Sequence, residues 1–473
     1  HLDERSLGFY ALGYAHANRV PVAIICTSGS ALGNLLPAVM EAYHQHLPLL
    51  LLTADRPFHQ QQVGANQTTE QHHFFSPFTV WSHTLPIPSK EIPFTYLRSV
   101  FSFALHAATH LYQGPVHINI PFAKPLLSSS PLSPPFLPPT FYESIEHSLS
   151  LLSAQKWASL LSCTTQGAIV AGDFPSSNLE SIKELLHILD WPLYADILSP
   201  LRSISTLNPL PSSSITSTNP SIVVQLGHPL IASIEKWMEK RTAPHLLVAE
   251  NPCRLDPFFS LSHRITLSPS AFCKAVVPYL AKEKKKSSPS AEKTVPFHPL
   301  FTPLSSLFPS SHALLLGNSL PVREANNAFM PKEPITIFTQ RGLSGIDGMV
   351  SHALGLAQGL QKPVVAILGD LTTLYDLNMF LKLADSAYPV ILLVINNGGG
   401  KIFSTIQDRV TNPEIFHRFF LNPPHCDFAK IASAFNLPYL LLTHTEQLSL
   451  LFSSTHSCLI EWNSQTHPLF ETS

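Results

Sequence analysis

Apolar residues in this chain gather into short unbroken runs, and between the runs they recur at helical spacing. Leu7–Ala17 predicts a helix, Val20–Thr27 a strand, Ala31–His44 a helix and Leu49–Thr53 a strand. A helix over Thr95–Thr109 and a strand over Val116–Ile120 continue the alternation. Further strands are expected at Ala168–Ala171, Pro192–Ala195, Ile222–Leu226, His245–Ala249 and Ala313–Leu316. Towards the C-terminus, Pro363–Leu368 and Tyr388–Ile395 are apolar runs flanking Leu374–Ala384, where helical spacing returns. Alternating strands and helices predict α/β architecture with parallel sheets.

Composition divides this pattern. Residues 125–143 are rich in Pro and Ser, and Lys282–Lys286 is followed by Ser-Ser-Pro-Ser; both read as solvated linkers. The expected organisation is an α/β domain over 1–124, a linker over 125–143, a structural middle domain over 144–283, a linker over 284–294 and a third α/β domain over 295–473. The middle block has no phosphate-loop glycines, and Arg254 and Arg264 there read as structural.

Charge adds exclusions. With 29 Lys+Arg against 31 Asp+Glu the chain is near neutral, and no basic stripe points to nucleic acid. Charged residues make up 13% of the chain, well under the usual quarter or so, which predicts much buried surface and subunit contact. No apolar run is long enough to cross a bilayer. Six scattered cysteines without Cys-x-x-Cys fit a reducing cytoplasm, and the histidines, His44/His46 and His72/His73 included, follow no metal-site pattern.

The chemistry gathers at strand ends. Gly369-Asp370-Leu371 closes one apolar run and Asn396-Asn397-Gly398-Gly399 closes the next. In a βαβ unit both tips lie at the carboxyl edge of one sheet, where ligands of open α/β sheets bind. A carboxylate, an amide oxygen and glycine carbonyls are hard ligands suited to Mg²⁺ on a phosphate. An Asp before a helix is also a common cap, so Asp370 alone decides little. Glu4, in a first helical turn, fits the helix dipole by position alone. Thr27-Ser28-Gly29 is either an anion site or an ordinary tight turn. Arg56 is either salt-bridged to Asp55 or free to grip a carboxylate, with Asn66 and Gln67 close by. Gly317-Asn318-Ser319, Arg323, and the turn Arg341–Gly348 with Ser344 and Ile346 complete the set.

Twenty-six residues separate Asp370 from Asn397, the spacing of the diphosphate-and-metal motif of thiamine diphosphate enzymes. With Asp3-Glu4-Arg5, Thr27-Ser28-Gly29, Thr53–Pro57, Gly64–Gln67, Gly317–Arg323, Arg341–Gly348, Gly369–Asp376 and Asn396–Phe403 in order, the chain resembles the MenD family of 2-succinyl-5-enolpyruvyl-6-hydroxy-3-cyclohexene-1-carboxylate synthases. The motif usually reads Gly-Asp-Gly; Leu371 is the variant of this family. The resemblance implies three doubly wound α/β domains of the thiamine diphosphate-enzyme type, namely pyrimidine-binding, central and diphosphate-binding. It implies decarboxylation of 2-oxoglutarate and 1,4-addition of the resulting carbanion to isochorismate, in menaquinone biosynthesis.

It further implies that Glu4 and Gln67 are catalytic, Glu4 through the cofactor's aminopyrimidine. Ser28, Gly29, Ser344, Ile346, Gly369, Asp370, Leu371, Asn397, Ile402 and Phe403 would contact thiamine diphosphate. Arg56, Asn66, Gln67, Asn318, Ser319, Arg323 and Arg341 would hold the two acidic substrates. Asp370, Asn397 and the Gly399 carbonyl would hold Mg²⁺ or Mn²⁺. A cytoplasmic dimer sharing its active sites, within a homotetramer, is expected, with no membrane insertion. Family members carry a first strand and helix and a Pro-Gly-Ser-Arg-Ser loop ahead of the position of His1, so the natural protein is expected to extend upstream. Two other readings stay open on the residues: a different thiamine diphosphate-dependent 2-oxoacid decarboxylase or carboligase, and a non-catalytic truncated remnant.

Overall fold

A computed structural model describes residues 1–110, 112–126, 137–143, 147–176, 178–228, 230–231, 234–281, 295–410 and 412–466. Most of the Pro/Ser-rich stretch and the Lys282–Lys286 run lie outside them. Three sheets, every strand pair parallel, organise the described residues.

The first sheet has the order β1-β2-β4-β3, from β1 (Val22–Cys26), β2 (Leu49–Asp55), β3 (Trp81–Thr84) and β4 (Val116–Pro121). Helices α1 (Glu4–Asn18), α2 (Ser30–Gln45) and α3 (Phe94–Thr109) accompany it. The middle segment has α4 (Leu151–Cys163), β5 (Gly167–Ala171), α5 (Glu180–Leu189), β6 (Leu193–Ala195), β7 (Leu210–Pro211), β8 (Ile222–Leu226), α6 (Glu235–Glu239), β9 (His245–Val248), β10 (His263–Ile265) and α7 (Pro269–Val276). Its strands run β10-β9-β8-β5-β6-β7, the sheet winding both ways from the β5–β8 pair.

The third sheet runs β12-β11-β13-β14-β16-β15. In chain order its segment holds α8 (Phe301–Leu307), β11 (Ala313–Leu316), α9 (Leu320–Ala328), β12 (Thr336–Phe338), α10 (Met349–Leu360), β13 (Val364–Gly369), α11 (Asp370–Leu374), β14 (Val390–Asn396), β15 (Tyr439–Leu441) and β16 (Cys458–Asn463). Alternate residues of β11 and β13 face opposite cores: Leu314, Leu316, Val365 and Ile367 one way, Ala313, Leu315, Val364 and Ala366 the other. Covering both faces explains why these strands read as unbroken apolar runs. Each buried Leu or Ile side chain contributes about 1.5–3 kcal/mol.

The first and third segments meet at α1 and α10. A Cβ on Gly13 would lie 2.2 Å from the His352 carbonyl, and one on Gly355 would lie 2.0 Å from that of Tyr10. The helices therefore touch backbone to backbone. Where they meet, His16 and His352 are buried and bonded to each other at 3.3 Å.

One expectation fails. Leu374–Ala384 is not a continuous helix: α11 stops at Leu374, a 3₁₀ turn covers Leu377–Met379, and an α turn resumes at Phe380–Leu383. The cause is Asp376, fully buried, whose carboxylate accepts from the Ser351 N–H at 2.7 Å and the Ser351 hydroxyl at 3.0 Å. Turning inward to meet the first turn of α10 costs the segment its helical continuity.

Candidate active site

Parallel pairing of β13 and β14 sets Gly369 opposite Ile395, so Asp370 and Asn396-Asn397 emerge side by side at the carboxyl edge. Asp370 is buried. Its Oδ1 accepts from the Leu371 N–H at 2.7 Å and its Oδ2 from the Gly399 N–H at 2.8 Å. Burial pushes the carboxyl up from its ordinary value, and the N–H groups of Gly399 and Leu371 pull it back. Gly399 has φ +109°, and a Cβ there would lie 2.1 Å from the Leu421 carbonyl. Beside it, Asn397 Oδ1 is buried and accepts no hydrogen bond. An orphaned amide oxygen next to a buried carboxylate and a glycine carbonyl is a donor set that fits a hard divalent cation.

These groups open into a cleft of about 680 Å³. Every residue lining it lies between His298 and Gln465. Among the expected site residues it contains Asn318, Ser319, Arg323, Ser344, Ile346, Gly369, Asp370, Leu371, Asn397, Gly399, Ile402 and Phe403. Ser319 (φ 72°) and Ser344 (φ 60°) hold left-handed backbone, a strain that clusters at binding sites. Arg323 folds back to donate to the Ser319 carbonyl at 2.6 Å. Asn318 is nearly inaccessible: its amide donates to the carbonyls of Gln340 and Gly345, both at 2.7 Å, and accepts from Arg341 at 3.1 Å. That amide ties the strand-end loop to the glycine-rich turn carrying Ser344 and Ile346. Arg341 stands beside the cleft, its guanidinium pulled down by burial and then by Arg323.

A second cluster occupies the carboxyl edge of the first sheet. Gln67, at φ 59°, donates to Thr27 Oγ1 and to the Ser28 carbonyl, both at 2.9 Å, and its own carbonyl accepts from Ser28 Oγ at 2.9 Å. Arg56 donates to the Asn66 carbonyl at 3.3 Å and to Gln67 Oε1 at 3.4 Å. Glu4 opens α1 and stands by the end of β1; burial, and after it the charge of Glu4, push the Cys26 thiol up to about 11. None of Glu4, Ser28, Gly29, Arg56, Asn66 and Gln67 lines the cleft. Within one chain the expected residues thus form two groups.

Several residues behind these groups went unnoticed in the sequence. Gln71, buried, accepts from the Gly29 N–H at 3.0 Å and donates to Ala54 O and Asn119 Oδ1, each at 3.0 Å, pinning two loops together. Glu41, buried on α2, accepts from the N–H groups of Gly342 at 2.8 Å and Leu343 at 2.7 Å. Lys401 and His298 line the cleft, and Gln465 donates to the Asn397 carbonyl at 2.6 Å. A signal existed for Gln71, four residues beyond Gln67 and within reach of the same loop. Among the described residues no cluster of three or more His, Cys, Asp or Glu could hold a metal, consistent with a site whose other donors are an amide and a carbonyl. No helix of the described residues is long and apolar enough to cross a membrane.

Residues 1–76 match a family described as thiamine pyrophosphate enzyme, N-terminal TPP binding domain, and residues 321–455 match its C-terminal TPP binding domain. The chain is 34% identical to a 2-succinyl-5-enolpyruvyl-6-hydroxy-3-cyclohexene-1-carboxylate synthase of Chlorobium phaeobacteroides, over 92% of this chain and 82% of that protein. It is 34% identical to the protein of the same name from Chlorobium phaeovibrioides, over 96% and 85%. A third, from Actinobacillus succinogenes, is 32% identical over 93% and 81%. Among solved structures, benzoylformate decarboxylase from Polynucleobacter necessarius superposes with a TM-score of 0.76, covering 97% of this chain and 90% of its own at 18% identity. That likeness concerns the fold.

Proposed function

This chain belongs to the 2-succinyl-5-enolpyruvyl-6-hydroxy-3-cyclohexene-1-carboxylate synthase family of thiamine pyrophosphate enzymes, and from that premise we propose how its residues serve the reaction. The reaction joins 2-oxoglutarate, after loss of CO₂, to isochorismate in menaquinone biosynthesis. Thiamine diphosphate, when bound, supplies the electron sink that makes loss of CO₂ and carbon–carbon bond formation possible.

The observation that carries the reading is the pairing of buried Asp370 with the orphaned Asn397 Oδ1 at one sheet edge. Asp370, Asn397 and the Gly399 carbonyl would hold Mg²⁺ or Mn²⁺ on the diphosphate. Gly369, Leu371, Ser344, Ile346, Ile402 and Phe403 would line the cofactor. Arg323 and Arg341, neighbours in charge, suit substrates carrying two or more carboxylates. Ser319 would add a hydroxyl, and Asn318 would act chiefly by bracing the two loops.

The second cluster, Glu4 with Ser28, Gly29, Arg56, Asn66 and Gln67, would complete the cleft of a partner copy. Glu4 would hold and move the proton at the aminopyrimidine, and Gln67 would orient substrate. A cleft lined only from residue 298 onward supports a shared dimer site, and a homotetramer in the cytoplasm is the assembly we favour. The test is CO₂ release from 2-oxoglutarate with thiamine diphosphate and Mg²⁺, with and without isochorismate, in the wild type and Glu4→Gln. Isochorismate-dependent product that falls sharply in Glu4→Gln is expected. Turnover of pyruvate without isochorismate would point to another decarboxylase of this cofactor class.

A further inference from the structure

The turn that presents Asn397 is held from behind by β16. Glu461, 7% exposed, accepts through Oε1 from the Asn396 amide at 2.7 Å and through Oε2 from the Tyr439 hydroxyl at 2.7 Å. Further along the same strand end, the Ser464 N–H donates to the Asn396 carbonyl at 3.1 Å, and the Gln465 amide to the Asn397 carbonyl at 2.6 Å. Strand pairing sets Val394 opposite Glu461 and Asn396 opposite Asn463, so the carboxylate reaches forward along β14 to the strand's last residue. Burial, and then the bond to Glu461, push the Tyr439 hydroxyl up, so it stays a donor across the working pH range. The chain of contacts therefore runs from β15 through β16 to the end of β14, and ends one residue before the orphaned oxygen.

We propose that Glu461 is a positioning residue for the cation site, gripping the Asn396 amide so that Asn397 Oδ1 is fixed towards Asp370. The proposal rests on the reading that Asp370 and Asn397 hold a divalent cation. Glu461 does not line the cleft; it works by restricting the turn's rotation. Outer partners of this kind commonly govern metal affinity by about 10–100-fold. The grip, and not the charge, is the operative part: a Gln at 461 keeps an acceptor for Asn396 and offers a donor to Tyr439.

The experiment is Mn²⁺ titration of the full chain with thiamine diphosphate present, read from the free-ion electron paramagnetic resonance signal, with Asp370→Asn as reference. Glu461→Ala is expected to weaken Mn²⁺ binding about tenfold or more. Glu461→Gln is expected to recover most of that loss. Asn396→Ala, which removes the grip from the other side and leaves Glu461 in place, is expected to reproduce the loss and serves if Glu461→Ala does not fold. Unchanged affinity in Glu461→Ala or Asn396→Ala, with affinity lost in Asp370→Asn, overturns the positioning role. Equal weakening in Glu461→Gln and Glu461→Ala also overturns it, since charge would then be what acts. Undiminished binding in Asp370→Asn would remove the cation reading itself, and the proposal with it.

Discussion

Asn378 donates to the Asp3 carboxylate at 2.8 Å, joining the segment after the Gly-Asp-Leu motif to the residue that caps α1. On the other side of Glu4, Arg5 donates to the Tyr375 carbonyl at 3.0 Å and lies over the Tyr375 ring. Glu4 is thus carried on a turn held at both neighbours. Removing one exposed hydrogen bond of this kind costs about 0.5–1.5 kcal/mol. Asn378→Ala is expected to lower kcat about two- to tenfold, with Mn²⁺ affinity unchanged; steady-state kinetics beside a metal titration checks both.

Gly399→Ala tests the glycine turn. A methyl group at φ +109° would be strained and would sit 2.1 Å from the Leu421 carbonyl, so the turn must move. Left-handed strain alone costs about 1–3 kcal/mol. Loss of Mn²⁺ binding by at least tenfold is expected, while far-ultraviolet circular dichroism stays that of the wild type.

Arg202→Met probes the contact between the middle and third sheets. Buried Arg202 donates to the Phe329 carbonyl at 3.1 Å, to Asn326 O at 2.7 Å and to Ala195 O at 2.5 Å. These bonds hold the end of α9, whose beginning carries Arg323. Stranding three buried carbonyls and the neighbouring Asp196 is expected to cost about 3–5 kcal/mol, seen as a lowered Tm in calorimetry.

His352 sets a pH dependence. Burial pushes it down to about 3 from an ordinary 6.5, and His16 is pushed down with it, first by burial and then by Arg19 and His352. A folded value below the unfolded one favours the neutral ring. The stabilisation is therefore complete above pH 6.5 and is lost as pH falls from there towards about 3. The Gln340 amide meets the His352 ring at 3.1 Å, and His352→Gln can keep bonds to Gln340 and His16 without taking up a proton. Its Tm is expected to fall less steeply than the wild type's between pH 6.5 and 4, in a pH series of thermal melts.

How much of this was legible depends on what a residue's neighbours in sequence disclose. Strands β11, β13 and β14 announce themselves because both faces are buried, and the motifs at their tips follow. Strands β3, β10 and β12 are short and lie at sheet ends, with polar residues such as Ser82, His83 and Arg264, so no run marks them. β16 was missed as well, and with it Glu461, whose partners Asn396 and Tyr439 lie far away in sequence. Asp376 misled for the same reason: helical spacing around it is real, but its carboxylate answers to Ser351. Glu4 shows the opposite limit. Its place at a helix start is legible, whereas the grip on both its neighbours is a property of the fold.

The seam between α1 and α10 carries a mechanical consequence. At Gly13 and Gly355 the two backbones meet directly, with the buried His16–His352 pair beside them, so little compliant material lies at the crossing to absorb a displacement. The first and third sheets of one chain should then swing as a single lever. Glu41 adds a second tie, fixing α2 to the Gly342–Leu343 turn next to the stretch where Ser344 and Ile346 form part of the cleft wall.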